Sequence, residues 1–498
     1  MADERATPLN QGFDKWLQIT DGGKLQTWDG VDSPTPIIGD DPLVTKTELD
    51  DKASLLTDRI VGVQNGEVVP IPEDLGFDLP FNVYKVGKNE FATDIDKTDY
   101  IIDSDRTYYI DIEGDDSNNG RSEFTPKKSL KNLIQDLNTE GVESATIYIA
   151  SGDYDYDNSI GGVDIKFDLN LICRDGEARF RKIAQGVTWS LRDGTTNVYE
   201  WGGAGSGVEY AVIDKTNLDR FGNPKSLRWL PSSSGVDEEP NSYLYGSTGN
   251  LLIHPHDSRV PDSDIVVYIS ERIWNQTTPI NAYFKNIIFE GGSSDGDERS
   301  QVRIDHNGES AYYFDDCDFI YCSDSNGIRT NVGAGVVQIY DNCEAYGSRA
   351  DGFNYNHKTG QPTIIEIDCK GVTNGADTVA NSHNGSTGHG NCAIVRVGGV
   401  YIDNKDRNVH DIQTCRVWML GCKAGNATNE SLDPYDNSTY VFGRRGEADN
   451  TIAYLQNCVS IGGSASDFAV YNNSELFVRN PVGDDVVDVE TGATYGTY

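Results

Sequence analysis

Five short segments in the second half of the chain rhyme: Asp316-Cys317-Asp318-Phe319, Asn342-Cys343-Glu344-Ala345, Asp368-Cys369-Lys370-Gly371, Gly421-Cys422-Lys423-Ala424 and Asn457-Cys458-Val459-Ser460. Cys317, Cys343 and Cys369 are spaced 26 residues apart, twice over. Cys369 to Cys422 is 53, about two periods, with an apolar stand-in expected near Val397, and Cys422 to Cys458 is 36, one period plus a loop. Lys285-Asn286-Ile287-Ile288-Phe289 reads as a sixth copy with Ile287 in the cysteine slot. A period near 26 with little helix signal means one supersecondary unit stacked on itself. Each unit buries the apolar face that its neighbour cannot bury alone.

The composition agrees. The 498 residues include 52 Gly and 26 Tyr but only 2 Met, a mix suited to strands and tight turns. A net charge of −38 repels nucleic acid and anionic membranes, so neither is an expected partner. No apolar run is long enough to cross a bilayer, which predicts no membrane insertion. The opening Met-Ala-Asp-Glu-Arg carries no apolar signal region, so synthesis in a cytosol is expected. Cysteines on the repeat read as a column of buried free thiols. Side chains stacked in parallel point the wrong way for disulfides, and paired C-x2-C spacings for a metal are missing. No cofactor is expected.

Residues 1–95 differ from the rest. They carry a short amphipathic helix signal from Val44 to Leu56 and a hairpin signal around Asn65-Gly66, and read as a small module that docks or trimerises. Residues 96–192 open the main body. A helix at about 125–140 is predicted, with Thr125 as cap, Pro126 in the first turn and Gly141 as stop. Its stripe Leu130, Leu133, Ile134 and Leu137 would cover the open end of a strand stack. Residues 193–272 break the rhythm and read as a β-rich insertion. The repeat then runs over 273–480, and 481–498 form an acidic tail.

The Gly114-Asp-Asp-Ser-Asn-Asn-Gly120 opening, the capping helix with Pro126 and the strand Thr146-Ile-Tyr-Ile-Ala-Ser-Gly-Asp-Tyr154 resemble the start of right-handed parallel β-helices of the pectate-lyase-like superfamily. More narrowly, the chain resembles a bacteriophage tailspike or tail fibre over roughly residues 105–480. The resemblance implies an all-β coil and a homotrimer fixed to phage tail, baseplate or adaptor proteins through residues 1–95. It implies a virion protein that meets host surface polysaccharide outside the cell. Many relatives cleave that polysaccharide, by hydrolysis or elimination, and some only bind it. A non-catalytic virion protein and a secreted bacterial polysaccharide-degrading enzyme are the competing readings.

The repeat also aligns candidate chemistry. Asp351 and Asp377 follow Cys343 and Cys369 by eight residues, and His357 and His383 follow six later, so both pairs are 26 apart. Stacked on adjacent rungs, they would stand about one strand spacing apart. Two such carboxylates cannot both ionise cheaply, which makes an acid and a base from one residue type. A nearby histidine could instead abstract a proton, as elimination requires. Against this stands the ordinary use of turn aspartates, which bind backbone amides. The polar loop Asn381–Asn391, with Asn384, Ser386 and His389, offers a sugar-binding edge. Tyr355 and Phe353, with Tyr346, Tyr401 and Trp418, are candidate sugar platforms. No metal site is expected, and Asp115–Gly120 reads as a structural turn.

Overall fold

The computed structural model describes residues 16–19, 25–28, 35–36, 66–205, 210–245, 249–293, 299–375, 383–427, 438–445, 449–461, 466–483 and 487–498. Contacts divide the chain into Met1–Glu67 and Val68–Tyr498. In the first unit, Trp16–Ile19, Leu25–Trp28 and Thr35–Pro36 form an antiparallel meander. The helix expected at Val44–Leu56 lies outside the described residues.

The second unit is built on a parallel β-helix. Among the described residues, three long sheets hold twelve, nine and nine strands. The first runs from Thr107–Ile110 to Thr494–Thr497, the second from Gly152–Asp155 to Val459–Ile461, and the third from Trp274–Gln276 to Val487–Val489. One rung reads Ser300–His306 in the third sheet, Ser310–Asp315 in the first and Asp318–Ile320 in the second.

The turn from first to second sheet explains the rhyming segments. One residue makes it, in the left-handed region: Asn286, Asp316, Asn342, Asp368, Gly398, Gly421 and Asn457, with φ between 52° and 75°. Asn, Asp and Gly tolerate that conformation at least cost. The next residue points inward, so Cys317, Cys343, Cys369, Cys422 and Cys458 are buried free thiols. The Cys343, Cys369 and Cys422 thiols donate to carbonyls of an adjacent strand, those of Phe314, Tyr340 and Arg396, at 3.3, 3.2 and 3.4 Å. Ile288 pairs with Asp318, which puts Ile287 in the cysteine slot as expected. The stand-in between Cys369 and Cys422 is Gly399 rather than Val397, since Val400 pairs with both Lys370 and Lys423. Tyr401 fills the space: a Cβ on Gly399 would fall 2.6 Å from its hydroxyl.

Three boundaries differ from the sequence reading. The helix is Leu130–Glu140, not 125–140, because Ser129 rather than Thr125 caps it by accepting from Asn132 N. Its expected stripe is buried against the coil, and Gly141 ends it at φ 68°. The module boundary falls at Glu67 rather than 95. Val69, Leu75, Phe81, Val83 and Phe91 pack on the outer side of the first sheet, against Tyr283, Tyr313, Ile365 and Trp418. Lys97 pins this strap to Asp315 at 2.7 Å. Between Ser190 and Ile269 the insertion forms a three-stranded antiparallel sheet and a five-stranded mixed one, and Ala211, Ile213, Val266 and Tyr268 pack on Tyr321, Tyr346 and Val372 of the coil.

Replacing Asn342 with Val puts a branched side chain at φ 54°. The expected cost is about 1–2 kcal/mol by chemical denaturation, with Asn342→Gly nearer neutral. Equal stability of the two variants would show that the turn residue is free to change.

Candidate functional site

The strands around Asp351 are not in a 26-residue register. Phe353 pairs back with Ile328, 25 residues earlier, but forward with Ser386, 33 residues later. The turn between those two strands is longer, so Asp351 lies against Asn384, whose backbone N–H donates to its Oδ1 at 2.8 Å. The Asp351 carboxylate also accepts from Asn354 Nδ2 at 2.7 Å and is buried, as a turn aspartate would be. Asp377 lies outside the described residues. His357 stands exposed at the end of its strand, over Gly390 rather than His383. His383 is buried in the turn.

Alternation along the third sheet corrects the binding candidates. Phe353, Tyr355 and Ser386 point into the coil and are fully buried, so no sugar reaches them. Ser386 serves an interior ion network: it donates to Glu366 at 2.6 Å and accepts from Arg396, which also binds Asp411 through two nitrogens at 2.6 and 2.9 Å. Asn384 is buried and holds Thr387. Tyr346, Tyr401 and Trp418 are buried too. Of the expected binding residues, His389 alone faces outward on this sheet.

It lies on a basic face. Arg303, Arg329, Asn354, Thr387 and His410 form one outward column, and Asp305, Asn331, Asn356 and His389 the next. Arg272 joins at one end, donating to Asn275 Oδ1 at 3.3 Å. Partial burial and the Arg303 and Arg329 charges bring Arg272 down to about 10. Arg329 is lowered by burial and by Arg303. Burial, with Arg329 and Arg444, brings His389 down to about 4, and burial with Arg407 and His389 holds His410 well below its ordinary range.

A second constellation lies on the second sheet, beneath the insertion. Asp318 and Glu344 are register partners on adjacent strands, followed by Lys370. Asp318 is half-buried and accepts from Glu344 N at 3.1 Å. Burial and the Glu344 and Glu177 carboxylates raise its pKa to about 7. Lys370 Nζ sits 3.6 Å from Glu344 Oε2. The insertion's turn Asp219–Asn223 overhangs them, anchored where Tyr321 and Tyr346 donate to Pro224 O and Arg220 pairs with Asp403. A groove of about 340 Å³ results, lined by Phe221, Asn223, Glu344, Lys370, Val372, Val400 and Ile402. Phe221 is 48% exposed. The sequence carried a signal for this pair: both acids directly follow a repeat cysteine.

No family model matches the sequence, and no curated protein is a detectable relative. Some solved structures align with much of the chain at low identity. A glycoside hydrolase aligns at 8% identity over 78% of this chain and 96% of its own, with a TM-score of 0.42. Pectate lyase Pel9A aligns at 13% over 80% and 78%, with a TM-score of 0.37. Tailspike gp49 of Acinetobacter baumannii bacteriophage Fri1, a capsular polysaccharide depolymerase, aligns at 8% over 84% and 68%, with a TM-score of 0.25. No residue role follows from likenesses this distant.

Two outcomes are expected. Arg396→Met leaves Glu366 and Asp411 buried without their cation, and should cost about 3–5 kcal/mol in denaturant titrations. His389 gains its proton near pH 6.5 when unfolded but only near pH 4 when folded. The unfolded chain therefore binds more protons between those values, and the histidine's contribution to stability falls as pH drops through that window. The melting temperature of His389→Gln should gain on that of the wild type from pH 6.5 to 4; parallel curves would refute the assignment.

Proposed function

We propose that the chain is a polysaccharide-recognising parallel β-helix that cleaves glycosidic bonds in the groove between its second sheet and the insertion. The observation that carries this is the Asp318–Glu344 register pair, in which burial and neighbouring carboxylates raise the Asp318 pKa to about 7. Asp318 donates a proton to the leaving glycosidic oxygen. Glu344, with Lys370 Nζ 3.6 Å from its Oε2, attacks the sugar carbon as the leaving oxygen departs, and water then hydrolyses the glycosyl-enzyme with Asp318 as base. Register partners in a sheet lie about 4.8 Å apart along the hydrogen-bonding direction, nearer the separation of retaining than of inverting hydrolases. Phe221 offers an apolar face to a sugar ring.

The wider reading follows the tailspike resemblance: a homotrimer on the virion, attached to tail proteins through its N-terminal module and acting outside the cell on host surface polysaccharide. The separate compactness of Met1–Glu67 supports a distinct attachment part. Asp351 accepts an amide hydrogen bond on each oxygen, which favours a structural role for it over the acid–base set with His357 and His383.

Host capsule or lipopolysaccharide incubated with the protein should yield reducing ends with retained anomeric configuration. Asp318→Asn and Glu344→Gln should each slow release by about a hundredfold or more while folding normally. The rate should fall above about pH 7, as Asp318 loses its proton. An unsaturated product, or undiminished cleavage by both variants, would overturn the assignment. Binding without cleavage would leave the non-catalytic virion reading.

A further inference from the structure

Two of the chain's 7 histidines flank one proline, His254-Pro255-His256, where the insertion's strand Leu251–His254 ends. His254 is buried, and its Nδ1 lies 2.8 Å from Val236 O, in the short helix Ser233–Glu238. A carbonyl only accepts, so Nδ1 carries the proton and Nε2 keeps its lone pair. Ser258 Oγ lies 2.9 Å from that Nε2 and donates to it. The serine hydroxyl is thus hydrogen-bonded to a base whose tautomer is fixed from behind, the relation that activates a nucleophilic serine.

The turn that carries Ser258 is held from several directions. Ser258 N donates to Pro255 O at 3.0 Å. Arg259 reaches both oxygens of Asp214, at 2.8 and 2.9 Å, and Asp257 at 3.0 Å. His256 Nδ1 donates to the same Asp214 at 2.8 Å. Asp214 is fully buried on the strand Tyr210–Leu218. Against that burial, hydrogen bonds from Arg259, His256 and Thr216 hold its carboxyl well below the usual carboxylate range. Ser258 itself is held at φ 59°, where a residue with a side chain seldom sits unless its surroundings dictate it. It remains within reach of solvent: Ser258 is half-buried, and Asp257 and Val260 beside it are exposed. None of these residues lines the groove under Phe221.

We infer that Ser258 is the nucleophile of a second hydrolytic site, on the insertion, that takes carboxylic esters of short acyl groups. Ser258 Oγ bonds to the acyl carbon as its proton passes to His254 Nε2. The ester C–O bond then breaks, and the alcohol leaves with that proton. Water attacks the acyl-enzyme, again giving a proton to Nε2, and the carboxylic acid departs as Ser258 regains its hydrogen. Water is the only co-reactant. An ester fits better than an amide, because an alcohol leaves more readily than an amine. A surface turn suits a short acyl group, offers it the exposed apolar side chain of Val260, and leaves the alcohol part free to be large. The step does not depend on glycosidic cleavage by Asp318 and Glu344.

The full chain is incubated with p-nitrophenyl acetate and, separately, with a tagged fluorophosphonate followed by peptide mass spectrometry. Nitrophenolate should be released with turnover, and the phosphonate should be found on Ser258. Ser258→Ala should lower the rate about tenfold or more at an unchanged melting temperature. His254→Gln should lower it as well. That imidazole is buried and tied to the helix, so labelling of Ser258 in the unaltered chain decides the matter should this variant misfold. Absence of the label from Ser258, or undiminished hydrolysis by Ser258→Ala, would overturn the inference and leave the hydrogen bond as a tie between turn and helix. The acetate probe contains no glycosidic bond, so its outcome stands apart from the fate of the cleavage reading.

Discussion

A single residue in the left-handed conformation sets the geometry of this molecule. It closes the rungs between the first and second sheets from Asn286 to Asn457. A one-residue turn leaves no slack, so the strands on either side keep one register on every rung it serves. Tyr313, Ile339 and Ile365 therefore stack on one side of it, and Phe319 and Ala345 on the other. The aromatic ladder Phe284, Phe314 and Tyr340, with ring centroids 5.2 and 5.1 Å apart, depends on that constancy.

The same turn decides what could be read from sequence. Where its spacing is rigid, sequence distance is spatial distance. The cysteine slot, Ile287 and the capping stripe were legible for that reason: an interior column tolerates little besides small apolar groups, and its period shows in the residues. The turn after the second sheet has no such constraint. It joins Ile320 to Asn326 on one rung and Val372 to Ser386 two rungs on. Asp351 and Asp377 sit in that variable region, so their 26-residue spacing says nothing about contact. Asp318 and Glu344 sit beside the rigid turn, where the same spacing does mean adjacency. The repeat held the pairing rule; it applied one residue after the cysteine, not eight.

Facing was the harder quantity. Phe353, Tyr355 and Ser386 alternate with Asn354, Asn356 and His389, and a shift of one residue exchanges inside for outside. Polar loop composition around Ser386 pointed outward, yet its hydroxyl belongs to a core ion network around Arg396. Burying a guanidinium with two carboxylates is costly unless every oxygen finds a donor, and Tyr401 supplies one to Glu366 at 2.5 Å. No local pattern announces such a network, because its members come from three sheets. For the same reason, Phe221 reached its groove without any periodic signal: it rides on an insertion whose position is fixed by Tyr321 and Tyr346.

Alternation gives each of the three sheets its own outward-facing set of residues, independent of the interior they share. On the second sheet, burial and then the Glu344 and Glu177 carboxylates raise the Asp318 pKa to about 7. An acid that must stay protonated cannot sit among arginines, which would strip it. A coil with three independently decorated faces can therefore keep such an acid apart from its arginines without altering its core.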